Sequence, residues 1–339
     1  MNSKRNQGMP LERMLKKIMV VPLAAESFGV RSMCTYVETP DVRLLLDAGV
    51  SLAPNRFGFF PHPKEYEAIA ECRQRIAEAA EKVEVVTLSH YHFDHHTPSY
   101  EDWCYNWSSA EVAKQIYGEK VVLVKSHKDM INFSQRRRGW MFRKTGGKNA
   151  KQLEIADGKE FKFEDTTVKF SSPVFHGTQN SELGWVLMTT INCEDEKVLF
   201  ASDVQGPMCE STLEKILAEA PSLIIIGGPP AYLAGFTVGE EDVQRGLRNL
   251  KIIVEKVPLT ILEHHILRGE KWRNFSQPVF DAAVAAEHLV VTASEFLGKD
   301  NNLLESKRKY LFEAYPPAPE FEKWAKLPQP KRKLVKPPA

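Results

Sequence analysis

The chain lacks the features that define several protein classes. Its five cysteines lie far apart and form no C-x-x-C pair, which argues against a disulfide-rich scaffold and a zinc finger. No apolar run approaches the roughly 20 residues needed to span a bilayer, and no apolar stretch follows the basic N-terminus as in a signal peptide. The net charge is only +1, so no overall field attracts nucleic acid or an anionic membrane. These absences predict a cytoplasmic protein with reduced thiols and no membrane partner.

The pattern of apolar residues indicates an α/β fold. Short β-rich runs at residues 18–25, 42–49 and 83–90 indicate strands. Apolar residues spaced by three and four predict an amphipathic helix between the second and third runs, and another helix is predicted over residues 276–298. The order of strands and helices departs from the strict alternation of a Rossmann fold.

The 339 residues are enough for one large domain, which we place at residues 18–310. Residues 1–17 are expected to be an N-terminal extension. Residues 311–339 form a tail rich in proline and lysine, which we expect to be extended or disordered from about Pro328. A basic insertion is expected within the domain at about residues 97–150.

The most informative segment is SHYHFDHH, residues 89–96, which follows a β-rich run. Its H-x-H-x-D-H spacing comprises His90, His92, Asp94 and His95. Residues two apart in an extended segment point the same way, so His90 and His92 can hold one metal ion. Asp94 and His95 lie past the predicted turn and can face a second ion. Imidazole suits zinc, iron and nickel, and a carboxylate adds manganese to the range.

A metal site needs ligands from several segments, and four further candidates stand at the predicted ends of strands. His176 follows SSPVF, and Asp203 follows VLFAS. His264 and His265 follow LTILE. Each of these residues alone is weak evidence, but together they repeat the arrangement of the histidine-rich segment.

The order of these residues resembles that of the metallo-β-lactamase superfamily of binuclear metal hydrolases, over roughly residues 18–296. LLLDAG adds to the resemblance, because its Asp47 matches an early aspartate that usually supports the site rather than binding metal. The segments ESFGVRSM, SHYHFDHHTP, INFSQRRRGW and HHILR are similar to an archaeal branch of that superfamily. The resemblance implies a four-layer αβ/βα sandwich, with two mixed β-sheets flanked by helices.

The resemblance also implies two divalent metal ions, with zinc preferred and manganese or iron as alternatives. The implied ligands are His90, His92 and His176 for the first ion, Asp94, His95 and His264 for the second, and Asp203 as a bridge between them. The expected reaction is hydrolysis by a hydroxide that bridges the two ions. Asp94 is the expected catalytic group, which takes a proton from the water or orients it.

Two positions in this ligand set stay open. His264 and His265 compete for the last place, and we prefer His264 because it stands four residues before Arg268, as the last histidine of ribonuclease-like members stands before an arginine. His96 is extra to the pattern and either orients a ligand or faces solvent.

The sequence offers several substrate classes. Residues 126–144 mix basic and aromatic side chains, which suits phosphate contact and base stacking, although such a segment is commonly a solvated surface. The expected substrate-binding residues are His127, Arg136, Arg137, Arg138 and Tyr232. A phosphoester or nucleic acid therefore competes with a small ester, thioester or lactone, and with a metal-binding protein that has no catalytic activity. The superfamily's iron-dependent redox branch is less favoured, because no flavin domain is recognisable. A homo-oligomer is compatible with the sequence.

Overall fold

A computed structural model describes residues 15–179 and 181–338, so most of the predicted N-terminal extension lies outside the described residues. The strands of the first half are β1 Met19–Pro22, β2 Thr35–Glu38, β3 Arg43–Leu46, β4 Val85–Leu88, β5 Val121–Val124 and β6 Gln152–Ile155. The later strands are β7 Glu160–Phe163, β8 Thr166–Phe170, β9 Val174–Phe175, β10 Trp185–Val186, β11 Thr189–Cys193, β12 Glu196–Phe200, β13 Leu223–Gly227, β14 Leu259–Glu263 and β15 Leu289–Val291.

Helices connect and cover these strands. In chain order the first helices are α1 Pro63–Ala80, α2 Ala110–Tyr117, α3 Phe133–Lys144, α4 Glu210–Glu219, α5 Glu240–Val254, α6 Trp272–Phe275 and α7 Gln277–Ala285. They are followed by α8 Ala293–Phe296, α9 Arg308–Ala314, α10 Pro319–Ala325 and α11 Gln329–Lys333. Among the residues described, no helix combines the length and apolar composition needed to cross a bilayer.

The strands form two large mixed sheets and a small hairpin of β9 and β10. The first sheet has the order β1-β2-β3-β4-β5-β6, antiparallel from β1 to β3 and parallel from β3 to β6. The second has the order β15-β14-β13-β12-β11-β8-β7, parallel from β15 to β12 and antiparallel beyond. Each sheet therefore has a parallel half, in which the carboxyl ends of neighbouring strands lie at the same edge of the sheet.

Two clusters of buried apolar side chains hold the sheets and helices together as layers. Val86 of the first sheet shares one buried cluster with Leu223 and Ile225 of the second sheet, and α1 and α2 also contribute to it. Ile224 points to the opposite face of β13, where it packs in a second cluster with Leu250 of α5. Because α4 and α7 also belong to that second cluster, helices cover both sheets from outside. This αβ/βα sandwich confirms the predicted fold class.

The predicted helix over residues 276–298 is wrong, because α7 ends at Ala285 and β15 follows. Val290 and Val291 pair with β14 in parallel, and Glu287 has a left-handed backbone with φ of 58°. β-branched residues that can extend a buried sheet gain more from strand pairing than from one further helical turn.

The tail also differs from its prediction, because α11 is helical in the part that was expected to be extended or disordered from about Pro328, and α10 precedes it. Phe321 and Trp324 are buried against Phe60, with ring centroids 6.5 and 5.7 Å away. The prolines that suggested disorder, Pro319 and Pro330, instead occupy first turns of helices, where a missing backbone N–H costs nothing. The limits of the predicted domain and of its basic insertion stay a prediction.

Candidate metal centre

The predicted ligands lie where strands end. β3 and β4 run parallel in the first sheet and lead into Asp47 and His90. In the second sheet, β12 leads towards Asp203 and β14 directly into His264. His176 follows the short strand β9. Carboxyl ends of parallel strands share one edge of a sheet, and the two sheets face each other, so distant parts of the sequence converge there.

Donor atoms of these residues form overlapping groups whose members lie within 4.8 Å of one another. The two main groups are His90, His92, His176 and Asp203, and Asp94, His95 and His264. Asp203 also groups with His264 and His265, so it is shared between the two sides. All seven predicted ligands are thus brought together, and their assignment to two ions stays a prediction.

Several contacts in this cluster suit a bound cation. Among the residues that the structure describes, the Nε2 of His176 and the Oδ1 of Asp203 are buried without a hydrogen-bond partner, although His176 Nε2 lies 2.8 Å from Asp203 Oδ2. The Nε2 atoms of His95 and His264 lie 3.3 Å apart, while their Nδ1 atoms contact carboxylates. Each Nδ1 donates to its carboxylate, so the two Nε2 atoms are the positions that can bind a metal ion once the second proton of His264 has been released. Metal ions bound between these atoms would satisfy all of them.

Neutral side chains support the first group. Ser89 Oγ lies 2.9 Å from His90 Nδ1 and donates its own proton towards Asp47 Oδ2 at 2.5 Å. The amide of Gln205 lies 3.2 Å from His176 Nδ1. Burial and neighbouring histidines hold the pKa of His90 well below its usual range, so the imidazole is neutral and ready to bind metal.

Carboxylates support the second group. Asp47 Oδ2 lies 2.9 Å from His95 Nδ1, and Glu26 Oε2 lies 3.0 Å from His264 Nδ1. Glu26 is itself paired with the buried guanidinium of Arg268 at 2.6 Å. Such carboxylate–histidine pairs fix the ring orientation and raise the basicity of the ligand. Asp47 was expected in this role, whereas nothing in its spacing marked Glu26.

The carboxylates change the protonation of the second group. Burial lowers the pKa of His264, but Glu26 and Asp203 outweigh it and raise that pKa to about 10. The pKa of His95 is likewise raised by Asp47 and Asp94 against the effect of burial. Protons therefore compete with metal at this side of the centre.

Asp94 stands at the opening of the centre, with 17% of its side chain exposed. Its Oδ2 lies 3.7 Å from His264 Nε2 and 3.6 Å from Arg268 Nη2. Burial raises the pKa of this carboxyl, but His95, His264 and Arg268 together bring it well below its usual range. Asp94 is therefore an ionised acceptor at neutral pH.

The two competing histidines occupy different positions. His264 has a left-handed backbone with φ of 66°, which turns its ring inward towards Asp94 and His95. His265 Nε2 lies 3.3 Å from Asp203 Oδ1, and its Nδ1 lies 3.3 Å from the hydroxyl of Tyr232. The preference for His264 as the ligand of the second ion stays a prediction, with His265 beside the shared aspartate.

His96 does not face solvent, since only 2% of it is exposed. Its Nδ1 lies 3.0 Å from the carbonyl oxygen of His92, and burial lowers its pKa to about 4. The neutral ring therefore donates from Nδ1 to the backbone of a predicted ligand. This contact agrees with an orienting role.

A cleft of about 500 Å³ opens over Asp94, Asp203 and His265. Of the three consecutive arginines, Arg138 lines this cleft, whereas Arg137 lines a neighbouring pocket. The two other predicted substrate contacts on this side, His127 and Arg136, line neither cavity. His127 packs beneath Gly139, and Arg136 bonds to the Lys128 carbonyl at 3.3 Å.

No protein-family model matches the chain. Two solved structures are similar to it. The metallo-beta-lactamase fold protein YhfI from Bacillus subtilis is 14% identical, with 81% of this chain and 95% of that chain covered and a TM-score of 0.46. Unliganded yeast PDE1 is 10% identical, with 82% of this chain and 99% of that chain covered and a TM-score of 0.49.

Relatives by sequence are much closer. The chain is 41% identical over 292 residues to a UPF0282 protein of Methanopyrus kandleri, covering 86% of this chain and 98% of that relative. It is 42% identical over 291 residues to a UPF0282 protein of Methanocaldococcus jannaschii, with 86% and 95% covered. Because this similarity extends over nearly the whole length of both relatives, the chain belongs to the UPF0282 protein family.

Proposed function

We propose that the protein is a metal-dependent hydrolase with two divalent ions, zinc most readily, and that its substrate is a small anionic phosphoester. The observation that carries this proposal is the position of Asp203. Its carboxylate is shared between two groups of histidines, and within the described part of the chain its buried Oδ1 accepts no hydrogen bond of good geometry, although His265 Nε2 lies 3.3 Å from it. Paired sites of this kind suit hydrolytic chemistry at neutral pH.

The chain supplies orientation and proton handling around these ions. When bound, the two ions would supply an activated water and polarise the scissile bond. Asp94, ionised at the opening, accepts a hydrogen bond from the attacking water and thereby aims it. Glu26 and Asp47 fix the rings of His264 and His95, so little reorganisation is needed on binding.

The charge distribution in the cleft favours an anionic substrate. Three cations that line it each pair with a carboxylate: Arg31 with Glu305, Arg268 with Glu26 and Lys333 with Asp102. Arg138 forms no ion pair within the described part of the chain, and it stacks over Phe93 at 4.5 Å. One guanidinium N–H donates to the Tyr91 carbonyl at 3.4 Å, which leaves the remaining N–H groups to bind the oxygens of a phosphoryl group.

The proposal is tested first by metal content and a substrate panel. Protein purified without added metal should carry two ions per chain and hydrolyse a generic phosphodiester faster than a matched carboxylic ester, thioester or lactone. If the protein hydrolyses a neutral ester faster than the phosphodiester, the proposed phosphoester substrate is wrong and the small ester, thioester or lactone class is favoured. Bound metal without turnover of any of these would favour a non-catalytic metal-binding protein, and a coloured di-iron centre would favour redox chemistry.

Arg138 gives the sharper test. Arg138→Gln should lower kcat/KM for the phosphodiester about 10- to 150-fold, because one charge-assisted hydrogen bond contributes about 1.5–3 kcal/mol. Arg136→Gln is the matched control, since Arg136 lies on the same helix but lines neither cavity. Equal losses in the two variants would contradict the role of Arg138 in binding the anion.

A further inference from the structure

A second cavity of about 470 Å³ lies beside the metal cleft. The histidine-rich segment and the residues after it form one wall, with Phe93, His96 and Pro98, and α3 forms the other, with Met141 and Phe142. Apolar and aromatic side chains dominate these walls. The volume lies within the range of about 300–1,000 Å³ typical of small-molecule sites.

The cavity adjoins the cleft and shares part of its lining. Phe93, Tyr100 and Arg138 line both spaces. Phe93 stands between them, with Tyr100 edge-on at 5.8 Å and the guanidinium of Arg138 over its face at 4.5 Å. Arg138 can therefore contact a molecule that occupies either space.

The walls are rigid where they meet the centre. The ring of His96 is fixed by its hydrogen bond to the His92 carbonyl, and it packs edge-on against Tyr91 and Phe142 at 5.7 and 6.0 Å. α3 approaches closely because Gly139 has no side chain: a Cβ there would lie 2.7 Å from Tyr91 and His127. A preformed apolar cavity loses little entropy when it binds an apolar group.

We propose that this side cavity, lined by Phe93, Tyr100, Met141 and Phe142, binds the apolar group of the substrate, so that the substrate is an anionic ester of an aromatic or aliphatic alcohol. This proposal rests on the proposed function for the anionic group and deepens it by naming the other half of the molecule. In this proposal Arg138 selects substrates that carry a negative charge, and the side cavity selects those that carry an apolar group.

The experiment measures the binding of methyl-, propyl- and hexylphosphonate to the full chain by calorimetry, together with its metal content. Affinity should rise about fourfold for each methylene that enters the cavity, since a buried CH₂ contributes about 0.8 kcal/mol. Ser134→Trp places a large side chain in the cavity from an exposed position of α3. This variant should keep the wild-type affinity for methylphosphonate and lose the dependence on chain length.

Lys144→Trp is the matched control, because Lys144 is exposed on the same helix and does not line the cavity. It should keep the wild-type dependence on chain length, and melting temperatures should show that both variants are folded. Equal affinity for the three phosphonates, absence of binding by all three, or an unchanged dependence in Ser134→Trp would overturn the proposal. Dependence on chain length without hydrolysis would support the cavity and contradict the proposed function, whereas hydrolysis without that dependence would do the reverse.

Discussion

The two halves of the metal centre hold the same kind of ligand in different surroundings. On one side, His90 and His176 are supported by the neutral side chains of Ser89 and Gln205. On the other side, carboxylates support His95 and His264. The pKa of His90 is held well below its usual range, whereas that of His264 is raised to about 10.

This difference teaches that the two ions would bind under different conditions. His90 and His92 of the first group, whose pKa values are held well below the usual range by burial, can take a metal without releasing protons. His264 is protonated at neutral pH in the metal-free protein, so metal binding at the second group must release that proton. Affinity at the second group should therefore increase with pH more steeply than affinity at the first.

The largest effect is expected when Asp203, the carboxylate that both halves share, is removed. Asp203→Ala should reduce bound metal from two ions per chain towards none and abolish turnover, because the shared carboxylate contributes to both groups. Metal analysis after dialysis measures this loss. Asp195→Ala is the control, since Asp195 is exposed and lies outside these groups. Retention of both ions in Asp203→Ala would contradict a shared ligand.

A smaller effect should separate the two halves. His90→Ala and His264→Ala should each lose one ion and keep the other, because each histidine belongs to only one of the two main groups. Metal content per chain at several metal concentrations tests this expectation. Loss of both ions in either variant would show that the halves form one cooperative site instead of two unequal ones.

The next effect concerns the supporting side chains. Glu26→Gln should weaken metal binding about 10- to 100-fold, since that is the usual cost of removing a partner that orients a ligand. Gln205→Ala should weaken it less, because a neutral amide contributes less to ligand basicity than a carboxylate does. Competition with a chelator measures both affinities, and the reverse order would refute the contrast between the two halves.

The smallest effect is a pH dependence of stability in the metal-free protein. The folded-state pKa of His264, about 10, lies above its ordinary value of 6.5. Its contribution is therefore fully present below about pH 6.5 and is lost as the pH rises through about 10. Glu26→Gln should reduce this loss, as measured by denaturant unfolding between these pH values. An unchanged pH dependence would mean that Glu26 does not raise the pKa of His264.

Most of the predicted metal ligands could be found from the sequence because they obey local rules. The H-x-H-x-D-H spacing is set by a few residues after one strand, and His176, Asp203 and His264 each follow an apolar run. Strand ends are readable in this way because a buried parallel strand is apolar throughout, and the polar residue that follows it marks the edge of the sheet. The αβ/βα fold class followed from the same pattern and the family resemblance.

Other parts of the centre carry no local signal. Glu26 belongs to a short 3₁₀ helix and meets His264 across 238 positions of the chain. The three consecutive arginines look equivalent in sequence, but helical geometry directs Arg138 into the cleft, Arg137 into the side cavity and Arg136 to the surface. Prolines in the tail suggested disorder from about Pro328, whereas α11 contacts a distant aromatic side chain, with Arg332 over the Phe60 ring at 4.3 Å.

The sequence by itself determined the α/β class, the ligand types and their order along the chain, because these depend on apolar periodicity and on residues adjacent to strands. Only the tertiary structure decided which side chains support each ligand and which arginine meets the cleft. It also decided that His96 is buried against the side cavity rather than exposed. These features depend on contacts between residues far apart in the chain, and such contacts exist only after the two sheets have packed together.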